Sequence, residues 1–496
     1  MYVLSRNEMY AIDKFTMNKV GISSEQLMEN AGKGCSEFIN DLLKYESKIA
    51  LFCGSGNNGG DGFVIARYLK KWDYKPEIFL LGNSAKMSHV TKLNYEKCLE
   101  LDIPVTKLID AIADLSKFEL IIDAIFGIGL KGQIKGFTSE VIKKINSSGK
   151  PLVSIDIASG IDADTGQTEH SVIADFTLTM AAIKYGHLLG KGRENSGEVL
   201  VIDIGVPSNV FLKFSQKAQL ATAENVMFPS RNKFSHKGDY GKVGIIAGSP
   251  GFTGAAILAS KAALRSGAGT ITLFHPAGLE TIFETQLLEV MTFAFRSFPL
   301  DTKDKENFLN KINSLDVLLI GPGLGTSKEK VELLNFILSN WTKPLVLDAD
   351  ALNIVAEHKN MLDDIKDKKI LLIPHIGEFA RLSEVSISEI QKDRLKYLND
   401  FTIRNKCSVL LKSTISVFCD KDGFIFNITG NDGLSTGGSG DVLAGIITSF
   451  IGQKLSLRAA AVSASYLMGV TAENLADIRK SASIIPSDIV ENLFKY

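Results

Sequence analysis

Cysteine is scarce in this chain and is never spaced as a framework would need. The five residues Cys35, Cys53, Cys98, Cys407 and Cys419 are scattered, odd in number and without a C-x-x-C pair. That argues against a disulfide scaffold or a zinc knuckle, and it fits a reducing compartment. Net charge is also missing, because 55 lysines and arginines against 56 aspartates and glutamates leave −1. Neither a nucleic-acid surface nor a membrane surface is expected from such a balance. No apolar run approaches the roughly 18 residues of a membrane span. The opening segment carries Arg6, Glu8 and Asp13 where a signal peptide needs an apolar core. Short-period repeats and low-complexity tails are absent too. These gaps predict a cytoplasmic protein without a nucleic-acid or membrane partner.

What is present is length and alternation. A chain of 496 residues with 45% hydrophobic residues exceeds one ordinary domain. Short apolar runs alternate with longer helical patterns: "KIALFC", "EIFLLG", "LIIDAIFG", "LVSIDIA", "FTLTMAA" and "VLVIDIG", then "KVGIIAG", "GTITLF", "VLLIGPG", "PLVLDAD", "ILLIPH", "SVLLKS" and "FIFNI". Four to seven consecutive apolar residues read as strands buried on both faces, hence parallel sheets covered by helices and a doubly wound α/β architecture. About residues 206–240 lack clear strands. The boundary is placed near 220, giving domains at 1–215 and 221–496.

Polar residues gather at the ends of these runs. "GSGNNGGDG" follows a strand and precedes the helical "FVIARYLKKW", with glycines at 54, 56, 59, 60 and 62 that admit a close phosphate approach. A mobile turn is the alternative for a glycine cluster alone. The spacing fits neither a Walker loop nor a clean G-x-G-x-x-G. Asp123 ends "IID", and Asp156 and Ser159 lie in "SIDIASGID"; taken singly, each aspartate could simply cap a helix. Three such ends in one sheet converge on one edge. Asn58, Asp123 and Ser159 supply hard oxygen ligands for an alkali or alkaline-earth cation, which leaves Asp156 for proton transfer.

A second glycine loop, "TGGSGDVLAGI", runs into an apolar helix and carries Gly437, Gly438 and Gly440. Asp441 stands among those backbone donors, where its charge would repel a bound phosphate. A carboxylate there suits a base that deprotonates a hydroxyl attacking a phosphoryl group, although an ordinary first-turn aspartate is the alternative. Other strand ends hold Asp348 and Asp350, His375 and Glu378, and Lys412 with Thr414. His375 has no H-x-x-x-H or cysteine partner, so zinc is not expected. Contact with a substrate ring suits it better. Lys412 reads either as a solvated strand-end lysine or as a phosphate contact.

"QLMENAG", "NNGGDG", "DAIFGIGL" and "SGID", in that order, resemble the YjeF-type N-terminal domain, the epimerase of hydrated NAD(P)H. The resemblance implies a Rossmann-like three-layer fold that interconverts the R and S forms of 6-hydroxy-tetrahydro-NAD(P). It places Asn57, Asn58, Gly59, Gly60, Asp61, Gly127, Ile128, Gly129, Leu130, Lys131, Gly132, Gln133 and Asp156 against the nucleotide, and potassium on Asn58, Asp123 and Ser159. "HKGDYGKV", "GPGLG", "LDADALN", "PHIGE" and "GGSGDVLAGI" resemble the ribokinase-like dehydratase of hydrated NAD(P)H. That likeness implies dehydration of the S epimer with ADP or ATP and magnesium. Ala255, Gly323, His375 and Asp441 would meet the hydrated nucleotide. Lys412, Ser413, Thr414, Ile415, Ser416 and Gly440 would meet the phosphoryl donor. Two positions depart from the families: Ala158 and Ile376 stand where proline is usual. The substrates implied are NADHX and NADPHX, and a homo-oligomer is expected of so large an α/β enzyme. Two other readings stay open here. One is a vitamin-alcohol kinase of the ribokinase class, which "HKGDYGKV" and "PHIGE" weigh against. The other is an N-terminal scaffolding module, which the intact set of Asp123, Asp156 and Ser159 weighs against.

Overall fold

The computed structural model describes residues 1–108, 114–214, 217–296, 301–366 and 368–493. It divides into two compact units, Met1–Ala218 and Gln219–Tyr496.

In the first unit the apolar runs become β1 (Lys48–Gly54), β2 (Lys75–Leu81), β3 (Val105–Leu108), β4 (Leu120–Ala124), β5 (Leu152–Ile155), β6 (Phe176–Met180) and β7 (Glu198–Ile202). Their order is β3-β2-β1-β4-β5-β6-β7, parallel throughout. The central strands β1, β4 and β5 are buried on both faces, as uninterrupted apolar runs require. Strand order reverses between β1 and β4, the point at which an open α/β sheet forms its crevice. Separately, Val3–Leu4 pairs in parallel with Ile183–Lys184. Helix Arg6–Phe15 follows, closed by a capping box of Ser5 and Glu8.

The second sheet starts at the unit boundary with β8 (Ala218–Leu220) and continues with β9 (Lys242–Ile246), β10 (Thr270–Pro276), β11 (Met291–Phe295), β12 (Val317–Ile320), β13 (Leu345–Leu347), β14 (Ile370–Leu372), β15 (Ser408–Leu411), β16 (Ser416–Asp420) and β17 (Gly423–Asn427). The sheet order is β8-β17-β16-β15-β14-β13-β12-β9-β10-β11. β14 pairs with β15 in parallel, while β15, β16 and β17 form an antiparallel meander. Strand β8 lies inside the stretch expected to lack strands. Three residues at a sheet edge are too few to show a period. Helix Ser439–Gly452 lies close against helix Thr253–Arg265, because a β-carbon on Gly445 would sit 2.2 Å from the Ala259 carbonyl.

All five cysteines are free and buried. Among the described residues no helix is long and apolar enough to cross a membrane.

Candidate functional sites

Beyond the carboxyl ends of β1, β4 and β5 lies a cavity of about 780 Å³. Asn57, Asn58, Asp61, residues 127–131 and Asp156 line it, and so do Tyr10, Asp13 and Lys184. The expected glycine loop is shorter than the sequence suggests, because helix Asn57–Lys71 already begins at Asn57. Gly59 and Gly60 do not line the cavity. A β-carbon on Gly59 would lie 1.9 Å from the Gly54 carbonyl, and one on Gly60 would lie 2.5 Å from the Met28 methyl. The missing side chain of Gly59 therefore lets the helix start directly on the strand end, and that of Gly60 leaves room for Met28. Gly132 and Gln133 also lie off the cavity, and the Gln133 amide donates to Glu169.

Asp156 is held in a left-handed conformation, φ 67°. For a non-glycine residue this costs about 1–2 kcal/mol and here aims the carboxylate into the cavity. Lys184, with no exposed side-chain surface, donates to Asp156 at 2.7 Å, to the Thr179 hydroxyl at 2.7 Å and to the Met180 carbonyl at 2.9 Å. The Ile128 amide donates to the other Asp156 oxygen at 3.0 Å. Burial pushes the Asp156 carboxyl up, but the Lys184 ammonium and these hydrogen bonds outweigh it and hold the group below its ordinary range. Behind the pair, His187 Nδ1 accepts from the Lys184 amide, which leaves Nε2–H to donate to the Asp156 carbonyl at 3.1 Å. Burial and the neighbouring ammonium push His187 down to about 3, so the ring is neutral.

Asp123 and Ser159 are fully buried beneath this wall. The Ser159 hydroxyl and amide donate to Asp123 at 2.6 and 2.8 Å, and Ser154 donates at 2.8 Å. The Phe126 amide donates to Ser159 Oγ at 2.8 Å, which ties the 125–130 segment to the same group. Asn58 differs: its amide oxygen and nitrogen are both buried without a hydrogen-bond partner. An orphaned carbonyl oxygen of this kind suits a cation, whereas the Asp123 oxygens already accept four hydrogen bonds. Ala158 is buried, and its carbonyl accepts from Ile161, so the turn closes without proline.

Gly127 is the tightest point of the site. A β-carbon there would stand 2.7 Å from Asp156 Oδ2 and 3.3 Å from Asn58. Gly127→Ala is expected to lower the first unit's turnover at least about tenfold by displacing the carboxylate, with the second unit's activity unchanged. Separate kinetic assays of the two activities check this.

In the second unit the expected residues also gather at strand ends. Gly323 adopts φ 58° and would place a β-carbon 3.2 Å from that of Ala255. His375 opens helix Ile376–Ser383: its Nδ1 accepts from the Gly377 and Glu378 amides, and its Nε2 lies 3.5 Å from the Glu378 carboxylate. Ile376 takes the first helical position, where proline is favoured but not required. Burial, then Lys412 and Arg381, push the His375 imidazole below its ordinary value. A parallel bridge joins His375 to Lys412, whose ammonium contacts Asp348 at 2.6 Å. A β-carbon on Gly440 would lie 3.4 Å from that ammonium. The Arg394 guanidinium donates to Ser413, the Ser413 hydroxyl donates to the Ile415 carbonyl, and Ser416 donates to the Ser413 carbonyl. Thr414 is exposed, whereas the Ile415 side chain belongs to the core, which leaves only its backbone to meet a ligand there.

Asp441 is the third residue of helix Ser439–Gly452, whose cap Gly438 has φ 101°. Burial and the charges of Asp348 and Asp350 raise its carboxyl to about 6 against the opposing Lys412. Among the described residues no cluster of three His, Cys, Asp or Glu side chains is arranged for a metal.

Sequence reasoning missed Lys184 and Asp13. A lysine inside the apolar "TMAAIKYG" was the available signal, since a fully buried lysine requires an anionic partner.

A cavity with a buried carboxylate–ammonium pair at a sheet switch point and a second α/β unit with a carboxylate at a helix start fit a two-domain α/β enzyme. Residues 24–186 match the family described as the YjeF-related protein N-terminus, and residues 243–495 match NAD(P)H-hydrate dehydratase. The chain is 35% identical to the bifunctional NAD(P)H-hydrate repair enzyme of Moorella thermoacetica, covering 99% of this chain and 96% of that one. With the Escherichia coli enzyme of the same description it shares 31% identity over 96% and 90% of the two chains. The crystal structure of a ribokinase-like superfamily protein from Enterococcus faecalis superposes with a TM-score of 0.51 at 25% identity, covering 56% of this chain and 95% of that one. The chain belongs to the bifunctional NAD(P)H-hydrate repair enzyme family.

Proposed function

We propose that the first unit epimerises hydrated NAD(P)H and the second dehydrates the S epimer with ADP or ATP. The observation that carries this reading is the presence of two separate acid–base sites, one per unit, in a chain aligned end to end with bifunctional repair enzymes.

In the first unit Asp156, kept ionised by Lys184, is the base within reach of the nicotinamide ring. Residues 127–131, Asn57 and Asp61 hold the nucleotide, while Gly59, Gly60, Gly132 and Gln133 shape the adjoining backbone. Potassium on Asn58, Asp123 and Ser159 would supply a fixed positive charge beside the loop. In the second unit Asp441 takes the proton of the ring hydroxyl as its oxygen attacks the terminal phosphoryl group of the donor. The phosphate ester then leaves with the C–O electron pair, the neighbouring carbon loses a proton, and the ring double bond returns. Ala255, Gly323 and His375 position the ring. Lys412, Gly440 and the backbone of 413–416 face the donor phosphates, where magnesium would balance charge.

Incubating the protein with mixed hydrated NADH epimers and ATP or ADP should restore the absorbance of reduced nicotinamide from both epimers. No recovery from the S form with either nucleotide would refute the dehydratase reading. Replacing potassium by lithium should slow consumption of the R epimer severalfold without slowing use of the S epimer. Equal rates in the two salts would remove the potassium site.

A further inference from the structure

Three carboxyl groups, Asp13, Asp61 and Asp156, share the first cavity with two lysines, Lys131 and Lys184. Asp156 and Lys184 form the ion pair, and Asp61 lies one turn inside helix Asn57–Lys71. Asp13 stands on a different helix, Arg6–Phe15. Its side chain makes no hydrogen bond or ion pair among the described residues, yet it is half-buried and faces the cavity.

The element that carries Asp13 is fixed. Helix Arg6–Phe15 is anchored by the Arg6 guanidinium on Asp162 at 2.7 Å and by the Arg6 amide on Asp164 at 2.7 Å. Strand Val3–Leu4, just before it, is paired with Ile183–Lys184. The same small ladder therefore holds both the helix of Asp13 and the lysine that ionises Asp156. Tyr10, one turn earlier, reaches the loop of the opposite wall, its hydroxyl 3.3 Å from where a Gly129 β-carbon would stand.

We propose that Asp13 is a second catalytic residue of epimerisation, the acid that works against the base Asp156. This inference rests on the epimerase reading of the first unit. Asp13 protonates the C6 hydroxyl of the hydrated ring, and the C–O bond breaks with its electron pair leaving as water. The ring nitrogen lone pair forms an N1=C6 double bond. A water molecule then adds to the opposite face of C6, pushing that pair back to nitrogen while its proton passes to Asp156. The net change is inversion at C6 and transfer of one proton from Asp13 to Asp156. The reverse epimerisation, or exchange with solvent, resets the pair.

The surroundings agree with this division. The titratable and charged groups that line the cavity with Asp13 are Tyr10 on its own helix, Asp61 on helix Asn57–Lys71, Lys131, Asp156 at the end of β5, and Lys184. Burial raises Asp13 to about 6, with Asp156 adding to the rise and Lys184 opposing it. Burial and both other carboxylates push Asp61 well above the carboxylate range, with Lys184 opposing them. Carboxyls with divergent proton affinities in one site are the arrangement that separates acid from base.

The test is the pH dependence of kcat/KM for R-epimer consumption by the full chain, with the epimers separated directly so that the second unit is not rate-limiting. One proton shared between Asp13 and Asp156 is required in either direction. The wild-type rate should therefore fall roughly tenfold per pH unit above the upper value of the pair. Asp13→Asn should lose at least about 100-fold at pH 6 with little change in KM and should lose this limb. Asp13→Glu should keep the limb at a shifted position. A wild type without the limb overturns the proposal, whether or not Asp13→Asn folds. So does an Asp13→Asn enzyme that keeps both rate and limb. A wild type that never consumes the R epimer faster than its spontaneous conversion refutes the epimerase reading instead.

Discussion

Asp441→Asn should lower dehydration of the S epimer by about 10²–10⁴-fold, the usual contribution of a positioned proton acceptor, while R-to-S conversion continues at the wild-type rate. The change keeps the size of the side chain at the third position of helix Ser439–Gly452 and removes only its basicity. Burial, reinforced by Asp348 and Asp350, raises the wild-type carboxyl to about 6. A base must be unprotonated to act, so wild-type dehydration should rise with pH through about 6 and then level, and the variant should lack this rise. Linkage separates the effect from unfolding. A carboxyl whose folded value is raised costs stability as pH rises through that value, so neutralising it leaves stability at pH 7 unchanged or slightly higher. A variant that returns reduced nicotinamide within threefold of the wild-type rate would remove Asp441 from the role of base.

The two sites were legible in the sequence to different depths for a physical reason. Runs such as "IALFC" and "LIIDA" are buried on both faces, and this length of unbroken apolar sequence is a local property. Strands whose place is fixed by neighbours left weaker traces. β3 (VTKL) has two exposed positions, β8 has three residues, and β16 is held by antiparallel partners on both sides. Aspartates that end buried strands were likewise visible, because a carboxylate at that place is unusual chemistry. Lys184 and Asp13 were not read as site residues. The Val3–Leu4 pairing with Ile183–Lys184 brings them to the cavity across more than a third of the chain, and nothing local announces it. The glycines of "GSGNNGGDG" show the opposite case. Their cluster marked the right strand end, but Gly59 packs against the Gly54 carbonyl and Gly60 against Met28, and neither lines the cavity.

Asp156→Asn should reduce R-epimer consumption by about 10²–10⁴-fold, to near the spontaneous rate, and leave use of the S epimer intact. Comparison with Asp156→Ala separates chemistry from folding. The asparagine amide oxygen still accepts from Lys184, and asparagine tolerates the left-handed backbone that this position adopts at φ 67°. Alanine supplies no acceptor and leaves an ammonium group with no exposed side-chain surface beside an empty position. Breaking one side of a buried pair costs about 3–5 kcal/mol, so both variants should unfold earlier on heating, the alanine variant more so because it also loses the acceptor for the ammonium group. The pH course carries the same sign. Asp156 is held below its ordinary value, so the stability it contributes is present above the usual carboxylate range and is lost as pH falls through its depressed one. Because both variants lack the base, they should be equally slow on the R epimer despite their different stabilities. An asparagine variant that consumes that epimer at the wild-type rate would show that the ion pair is a structural strut and that the proton is taken elsewhere in the cavity.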